Sequence, residues 1–281
     1  VAVDPALPPA LASAALGGVS AILLRRATEN ADAFLVNFVK LAAGSASLVI
    51  VALALGFEPP SATVALYMAY IGLTGPLLGW YLYIKALSLG GVSATSTVAN
   101  TYPLVAVVTA YFLGSAPRLN HLVGALLVVV GMRLLLSGNS GGSVRRAALL
   151  AGISSVLWGV NQVVAKAATE GGALVTLSLL RVLFATIPAA LIALAKGLGR
   201  LSRTALAQAA AAGLVSDFLG ALLWLLSLKV GSLAVAATVS ATTPVFAALL
   251  SSALLREEMN WQRWLGVLAA TAGVAAVSYS T

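Results

Sequence analysis

There is no cysteine in this chain, which excludes disulfides, thiolate chemistry and zinc sites built on sulfur. Histidine is nearly absent, with His121 alone near the start of an apolar run. Charge is scarce as well: 9% of residues are charged, against about a quarter in a soluble domain. A chain this poor in charge cannot cover the surface of a soluble globule. What charge there is leans basic, with 16 Lys and Arg against 8 Asp and Glu. That balance would raise the question of nucleic acid in a soluble protein. Here the basic residues flank apolar runs, and no polybasic tail or aromatic-basic strip exists, so a nucleic-acid partner is excluded. No GxxxxGK[ST] run is present, which argues against direct driving by ATP.

Apolar residues fill the space that charge leaves. They make up 60% of the 281 residues, and the mean hydropathy is +1.02. Since a bilayer-spanning helix takes about 20 apolar residues, the composition predicts an all-α integral membrane protein with the lipid bilayer as its principal partner. Apolar runs and breakers give ten spans, near 9–24, 33–56, 62–84, 92–114, 119–137, 147–167, 173–195, 205–228, 233–255 and 261–279. In the first, Arg25 and Arg26 follow the apolar core instead of preceding it, so it reads as a retained helix and not as a secretory signal.

The sequence repeats itself at an offset of 141. Gly18-Val19 meets Gly159-Val160, Ala27-Thr28-Glu29 meets Ala168-Thr169-Glu170, and Lys40 meets Arg181. Thr97-Val98 meets Thr238-Val239, Thr101 meets Thr242, and Pro103 meets Pro244. After one inserted residue, Gly124 and Gly131 meet Gly266 and Gly273. The chain therefore divides at 1–141 and 142–281 into two units of five helices. Five is odd, so the second unit enters the membrane from the opposite side and the repeats have inverted topology. That architecture recurs in secondary transporters, with the binding site near the midplane between the halves. One set of connections holds Arg25, Arg26, Lys85, Arg133, Arg145, Arg146, Lys196, Arg200, Arg203, Arg256 and Arg263, and the other only Arg118, Lys166 and Lys229. Positive-inside bias puts the first set in the cytoplasm and both termini outside.

These residues also carry a family likeness. Each half resembles one domain of the EamA type in the drug/metabolite transporter superfamily, over essentially the whole chain. The marks in the second half are Trp158-Gly159-Val160-Asn161, Lys166, Arg181, Pro244, and Glu257 followed nine residues later by Gly266. In the first half they are Gly18, Lys40, Pro103, and Gly114 ahead of Gly124; Leu16 replaces the expected tryptophan and Ser115 the glutamate. The tyrosine- and tryptophan-rich third and fourth helices are similar to those of YddG-type aromatic amino-acid exporters. The resemblance implies a ten-helix carrier in a bacterial inner membrane, exporting amino acids or related metabolites by alternating access through a central cavity.

Polar groups at membrane depth are costly unless they face protein or a wet path. On the sixth helix Ser154, Trp158, Asn161 and Gln162 form one stripe, read either as a cavity wall or as interhelical hydrogen bonding around a packed tryptophan. On the third, Trp80 and Tyr83 share a face with Pro76 and Leu87, as cavity lining or as interfacial anchors. Ser93, Ser96, Thr97, Asn100, Thr101 and Tyr102 precede Pro103, and Ser240, Thr242 and Thr243 precede Pro244. A proline frees a carbonyl upstream, so the two sites read as paired hinges beside the substrate path, or as static kinks. Asp217 is the one acidic residue well inside a span, with Trp224 on its stripe. It is a candidate ligand for an ammonium, a candidate proton carrier, or a structural partner of Lys40 or Arg181. For Lys40 and Arg181 the expectation is snorkelling to the interface, with recognition of a substrate carboxylate as the alternative. Gly75 and Gly79 form a GxxxG that signals close helix packing.

The expected substrate site is therefore Trp80, Tyr83, Asn100, Tyr102, Trp158, Asn161, Gln162, Asp217, Trp224, Ser240 and Thr243, with Pro103 and Pro244 as hinges. Aromatic faces would hold a flat side chain or an ammonium, and amides and hydroxyls a zwitterion. Protons are a candidate coupling ion, and no cofactor or metal is expected. An enzyme would need clustered metal ligands or an activated nucleophile, which one His and one intramembrane Asp do not supply. A passive channel, a lipid carrier and a nucleotide-sugar carrier are the alternatives.

Overall fold

A computed structural model of the protein describes residues 4–105, 119–136, 142–196, 201–231, 233–240 and 242–278. Gly114, Ser115 and Arg118, and the side chain of His121, lie outside the described residues. The described chain is helical with short connections. The first unit holds α1 (Leu7–Ala27), α2 (Ala33–Leu55), α3 (Ala62–Gly90), α4 (Val92–Ala99) and α5 (Leu119–Leu136). The second holds α6 (Gly142–Thr169), α7 (Leu174–Lys196), α8 (Arg203–Val230), α9 (Leu233–Ser240), α10 (Thr243–Leu254) and α11 (Trp261–Ser278).

Local chemistry sets several boundaries. The Asp32 carboxylate accepts from the backbone N–H groups of Phe34 and Leu35 and starts α2. Ser61 and Ser202, 141 residues apart, accept from Val64 N and Ala205 N and start α3 and α8. Gly91, at φ +80, lets the chain turn from α3 straight into α4. At the far ends of the same helices, Arg25 donates to the Ser88 carbonyl and Lys166 to the Leu228 carbonyl. Both cations sit where terminal carbonyls lack helical partners.

Polarity runs inside out. Leu53, Leu55, Leu66 and Ile50 are exposed, while Asn37, Lys40, Arg181 and Asp217 are buried. That is the arrangement lipid requires, since hydrocarbon solvates Leu and penalises unpaired polar groups. Six of the helices, α1, α2, α3, α6, α7 and α8, are long and apolar enough to cross a membrane. The protein is an all-α integral membrane protein.

The halves meet through contacts that come in reciprocal pairs. Ser13 Oγ donates to the Gly220 carbonyl at 2.9 Å, and Ser154 Oγ to the Gly79 carbonyl at 3.0 Å. Gly18 packs on Phe246, and Gly159 on Val105; Gly72 meets the Arg181 carbonyl, and Gly213 the Lys40 carbonyl. Each second member is the first displaced by 141 with its partners exchanged, which is the signature of an isologous two-fold contact. Ser45 Oγ and Thr186 Oγ1, equivalent positions in the two repeats, share a 2.8 Å hydrogen bond, so the axis passes between them. On α5 and α11, Gly131 packs on Gly266 and Ala270 while Gly273 packs on Gly124 and Val128. That reversed order makes the equivalent helices antiparallel. Inverted topology follows.

The backbone irregularities repeat too. Leu73–Gly79 within α3 and Leu214–Gly220 within α8 wind as π-helix, again 141 residues apart. Pro76 contributes to the first by lacking an N–H, and Asn37 Nδ2 donates to the carbonyls of Pro76 and Leu77 at 3.1 Å each. The second has no proline. At the paired prolines the sequence led us to expect hinges or kinks within continuous spans over 92–114 and 233–255, but the helices are interrupted. α4 stops at Ala99 and a new helical segment begins at Tyr102; α9 stops at Ser240 and α10 begins at Thr243. Pro103 and Pro244 each stand in the first turn of the second piece, where no N–H is needed. Thr101 and Thr242 donate their hydroxyls to the carbonyls of Val98 and Val239 at 2.8 and 2.7 Å, covering acceptors that the break exposes.

Candidate functional site: a cavity between the repeats

The two π segments face a central cavity of about 160 Å³. α1 contributes Ser13 and Gly17, α3 contributes Ile71, Gly75, Pro76 and Trp80, and Tyr102 follows the break after α4. α6 adds Trp158, Asn161 and Gln162, α7 adds Arg181, and α8 adds Ser216, Asp217, Gly220, Ala221 and Trp224. π winding widens a helix and rotates the residues beyond it, and such bulges gather at functional sites. Here they carry Pro76 and Asp217, which occupy equivalent positions of the repeat.

Aromatic rings make one side. The centroids of Trp80, Tyr83 and Trp158 lie 5.4 to 5.5 Å from one another, within the range of favourable edge and offset contacts. α6 can bring Trp158 this close because α3 is glycine there: the Trp158 Nε1 lies 2.7 Å from where a Cβ on Gly79 would be, and the Asn161 amide 2.8 Å from one on Gly75. The GxxxG therefore does pack closely, against the polar stripe of α6. Trp224 stands on α8, its Nε1 donating to Gln162 Oε1 at 3.0 Å.

Charge makes the other side. The expected snorkelling of Lys40 and Arg181 does not occur: both are buried, at 0% and 5% exposure. Lys40 Nζ donates to Asp217 Oδ2 at 2.6 Å and lies 4.0 Å over the Trp80 ring. Arg181 Nη2 is 3.9 Å from Asp217 Oδ1, with the guanidinium 6.0 Å from the Trp224 ring. The carboxylate, midway along α8, is reached from both α2 and α7, and the lysine turns inward to it. Of the three readings of Asp217, the geometry supplies a structural ion pair. Arg181 Nε and Nη2 and Asn161 Nδ2 are buried without a hydrogen-bond partner.

Seven of the eleven expected site residues line this cavity: Trp80, Tyr102, Trp158, Asn161, Gln162, Asp217 and Trp224. The other four stand behind it. Tyr83 is buried, its hydroxyl sharing a 2.7 Å hydrogen bond with Ser96. Asn100 Nδ2 donates to the Ser96 carbonyl at 2.8 Å, and Ser240 shares a hydrogen bond with Tyr102. Thr243 packs its methyl against Gly17. Sequence reasoning missed Ser13 and Ser216 as wall residues; it weighed Arg181 for carboxylate recognition but favoured the interface, whereas the residue lines the cavity. The match of Ser13 to Ser154 at the 141 offset was a signal for the first. It also missed Glu257, whose carboxylate accepts from Ser93 N at 3.2 Å and Ser93 Oγ at 2.8 Å across the two repeats.

A family model described as the EamA-like transporter family matches residues 6–137 and, a second time, 145–279. The chain belongs to the EamA-like transporter family. Two matches in tandem account for the repeat, and membership makes the protein a transporter of the drug/metabolite type. A solved crystal structure superposes on this EamA-like transporter with a TM-score of 0.69. The match covers 95% of this chain and 97% of that one at 21% identity, which shows a shared fold. No curated protein matches the sequence. In this EamA-like transporter the cavity is bounded by both family repeats, with Trp158 and Asn161 facing it from the second and Trp80 from the first.

Proposed function

We propose that the protein is a secondary carrier that exports amino acids, aromatic ones among them, or related small metabolites across a bacterial inner membrane. The repeats 1–141 and 142–281 act as one transport unit and rock about the central cavity to give alternating access. Pro103 and Pro244 serve as hinges, and the Arg25/Arg26 end of α1 faces the cytoplasm. The observation that carries this reading is the cavity itself, lying between two inverted repeats and lined by Trp80, Trp158 and Trp224 beside Asn161, Gln162 and Arg181. Its size fits: a dry cavity of about 150 Å³ takes up benzene, so about 160 Å³ holds one ring, and the polar wall takes a small head group.

The test is counterflow in proteoliposomes preloaded with unlabelled phenylalanine or tryptophan, with the labelled amino acid outside. A carrier gives stimulated, saturable entry, whereas a passive channel gives none. Trp158→Ala removes a ring contact worth about 0.5–1.5 kcal/mol beyond its buried area, and half-maximal counterflow should need roughly tenfold more substrate or beyond. No stimulation by any amino acid rejects the exporter reading.

A further inference from the structure

We propose that this cavity reads a single carboxylate and leaves the ammonium unread, so that aromatic monocarboxylates without nitrogen bind as well as amino acids do. This inference rests on the reading of the cavity as the substrate site. Charge and unpaired donors both favour an anion at this wall. Two cations, Lys40 and Arg181, share one carboxylate, Asp217, and no other acidic side chain lines the cavity among the described residues. The cluster thus carries one excess positive charge at membrane depth, where an uncompensated charge is costly. The division is unequal. Lys40 takes Asp217 Oδ2 at 2.6 Å and does not line the cavity, whereas Arg181 lines it, 3.9 Å from the nearer carboxylate oxygen. Arg181 is also the residue with two buried nitrogens lacking a hydrogen-bond acceptor. A guanidinium presents its N–H groups as a fork that matches a carboxylate. What the wall lacks is two acceptor oxygens and one negative charge.

An ammonium meets the opposite situation. The one anionic oxygen within reach, Asp217 Oδ1, lies beside Arg181 and belongs to a carboxylate already bound by Lys40. A third cation would sit between two fixed ones. Lys40 is on this account a positioning residue: by holding Asp217 it keeps Arg181 free.

The experiment is ligand binding to the detergent-purified protein, followed by quenching of the cavity tryptophans and by thermal shift. The probes are 3-phenylpropionate, phenylalanine and phenethylamine, which share a ring and differ in head group. The expected result is that 3-phenylpropionate and phenylalanine bind within about threefold of each other and phenethylamine at least tenfold more weakly. Arg181→Gln should weaken 3-phenylpropionate at least tenfold, and it leaves the Lys40–Asp217 pair neutral and intact. Arg181→Lys should retain most of the preference for the acid over the amine. Lys40→Met, although off the wall, should weaken 3-phenylpropionate as Arg181→Gln does, because Asp217 then claims Arg181. Phenethylamine binding as tightly as the acid, or no binding of the acid, overturns the inference. So does undiminished binding in folded Arg181→Gln or Lys40→Met; where a variant does not fold, the probe ranking of the parent protein decides. Binding of the acid without counterflow would reject the carrier and leave this inference standing. Counterflow blocked by the amine alone would do the reverse.

Discussion

The reciprocal packing of the repeats makes Gly213 a sensitive position. A Cβ added there would run into the Lys40 carbonyl oxygen, with the carbonyl carbon 2.9 Å and the Ala43 Cβ 3.1 Å away. Both obstacles are backbone or stubs of it, so no side chain can rotate to make room and α2 must move off α8. Replacing Gly by Ala in a helix gains about 1 kcal/mol of propensity. Overpacking typically costs about 1–3 kcal/mol, occasionally more, and contacts between main chains belong at the upper end. The net expectation for Gly213→Ala is a loss of about 2 kcal/mol, or roughly 4–8 °C in melting temperature for a chain of this size. Its mirror, Gly72→Ala, meets the Arg181 carbonyl in the same way and should lose a similar amount. Gly152 supplies the control, since nothing lies within 4 Å of its added Cβ. Gly152→Ala should leave the melting temperature unchanged or raise it. The assay is intrinsic tryptophan fluorescence during a thermal ramp in detergent, which suits a protein with five tryptophans and no cysteine to label. Gly213→Ala melting with the parent, or Gly152→Ala falling as far, would refute the packing deduced between α2 and α8.

Two further outcomes are expected in the same melt. Ser13→Ala and Ser154→Ala each remove one hydrogen bond to the last carbonyl of a π segment and should cost about 1 kcal/mol apiece; an effect at one site alone would contradict the two-fold relation. Asp217→Asn leaves Lys40 and Arg181 together without a counter-charge and should cost about 3–5 kcal/mol. Lys40→Met should cost less, because Arg181 already stands 3.9 Å from Asp217, and the opposite ranking would show that Arg181 does not compensate.

Much of the fold was legible because membrane helices announce themselves by composition and because the chain states its architecture twice. The 141 offset that aligns Lys40 with Arg181 and Pro103 with Pro244 also aligns the π segments, the breaks before both prolines and the serine caps of α3 and α8. A pattern found in letters thus extends to backbone defects that no propensity predicts. Two things were not legible. π winding at Leu214–Gly220 has no proline to announce it and reads as ordinary helix. The Lys40–Asp217 pair spans 177 residues of sequence, and nothing local tells whether a lysine two turns into a span will reach the interface or a carboxylate. Only the helix packing, with Gly44 against Asp217 and Gly213 against Lys40, decides for the carboxylate.

The candidate site lies where the repeat fails. The scaffold contacts obey the two-fold relation almost atom for atom, yet the polar wall does not. Trp158, Asn161, Gln162 and Asp217 stand opposite Gly17, Ser20, Ala21 and Pro76 in the repeat alignment, so the residue in place of the tryptophan is Gly17 and not the neighbouring Leu16. A symmetric scaffold can exchange the conformations of its halves at little cost, because each contact broken in one half is remade as its equivalent in the other. A symmetric wall, however, would offer a polar head group two equivalent places and hold it in neither orientation. With the amides and the lone carboxylate drawn from one repeat, and the small residues of α1 and Pro76 of α3 from the other, the cavity has one polar side. The same division of labour explains Glu257. It ties the connection after α10 to Ser93 of the first repeat, while its equivalent in the repeat alignment is Ser115. In the proposed carrier, an ionic acceptor on one side only would give the two end states unequal contacts, and so an otherwise symmetric machine would have a preferred resting state.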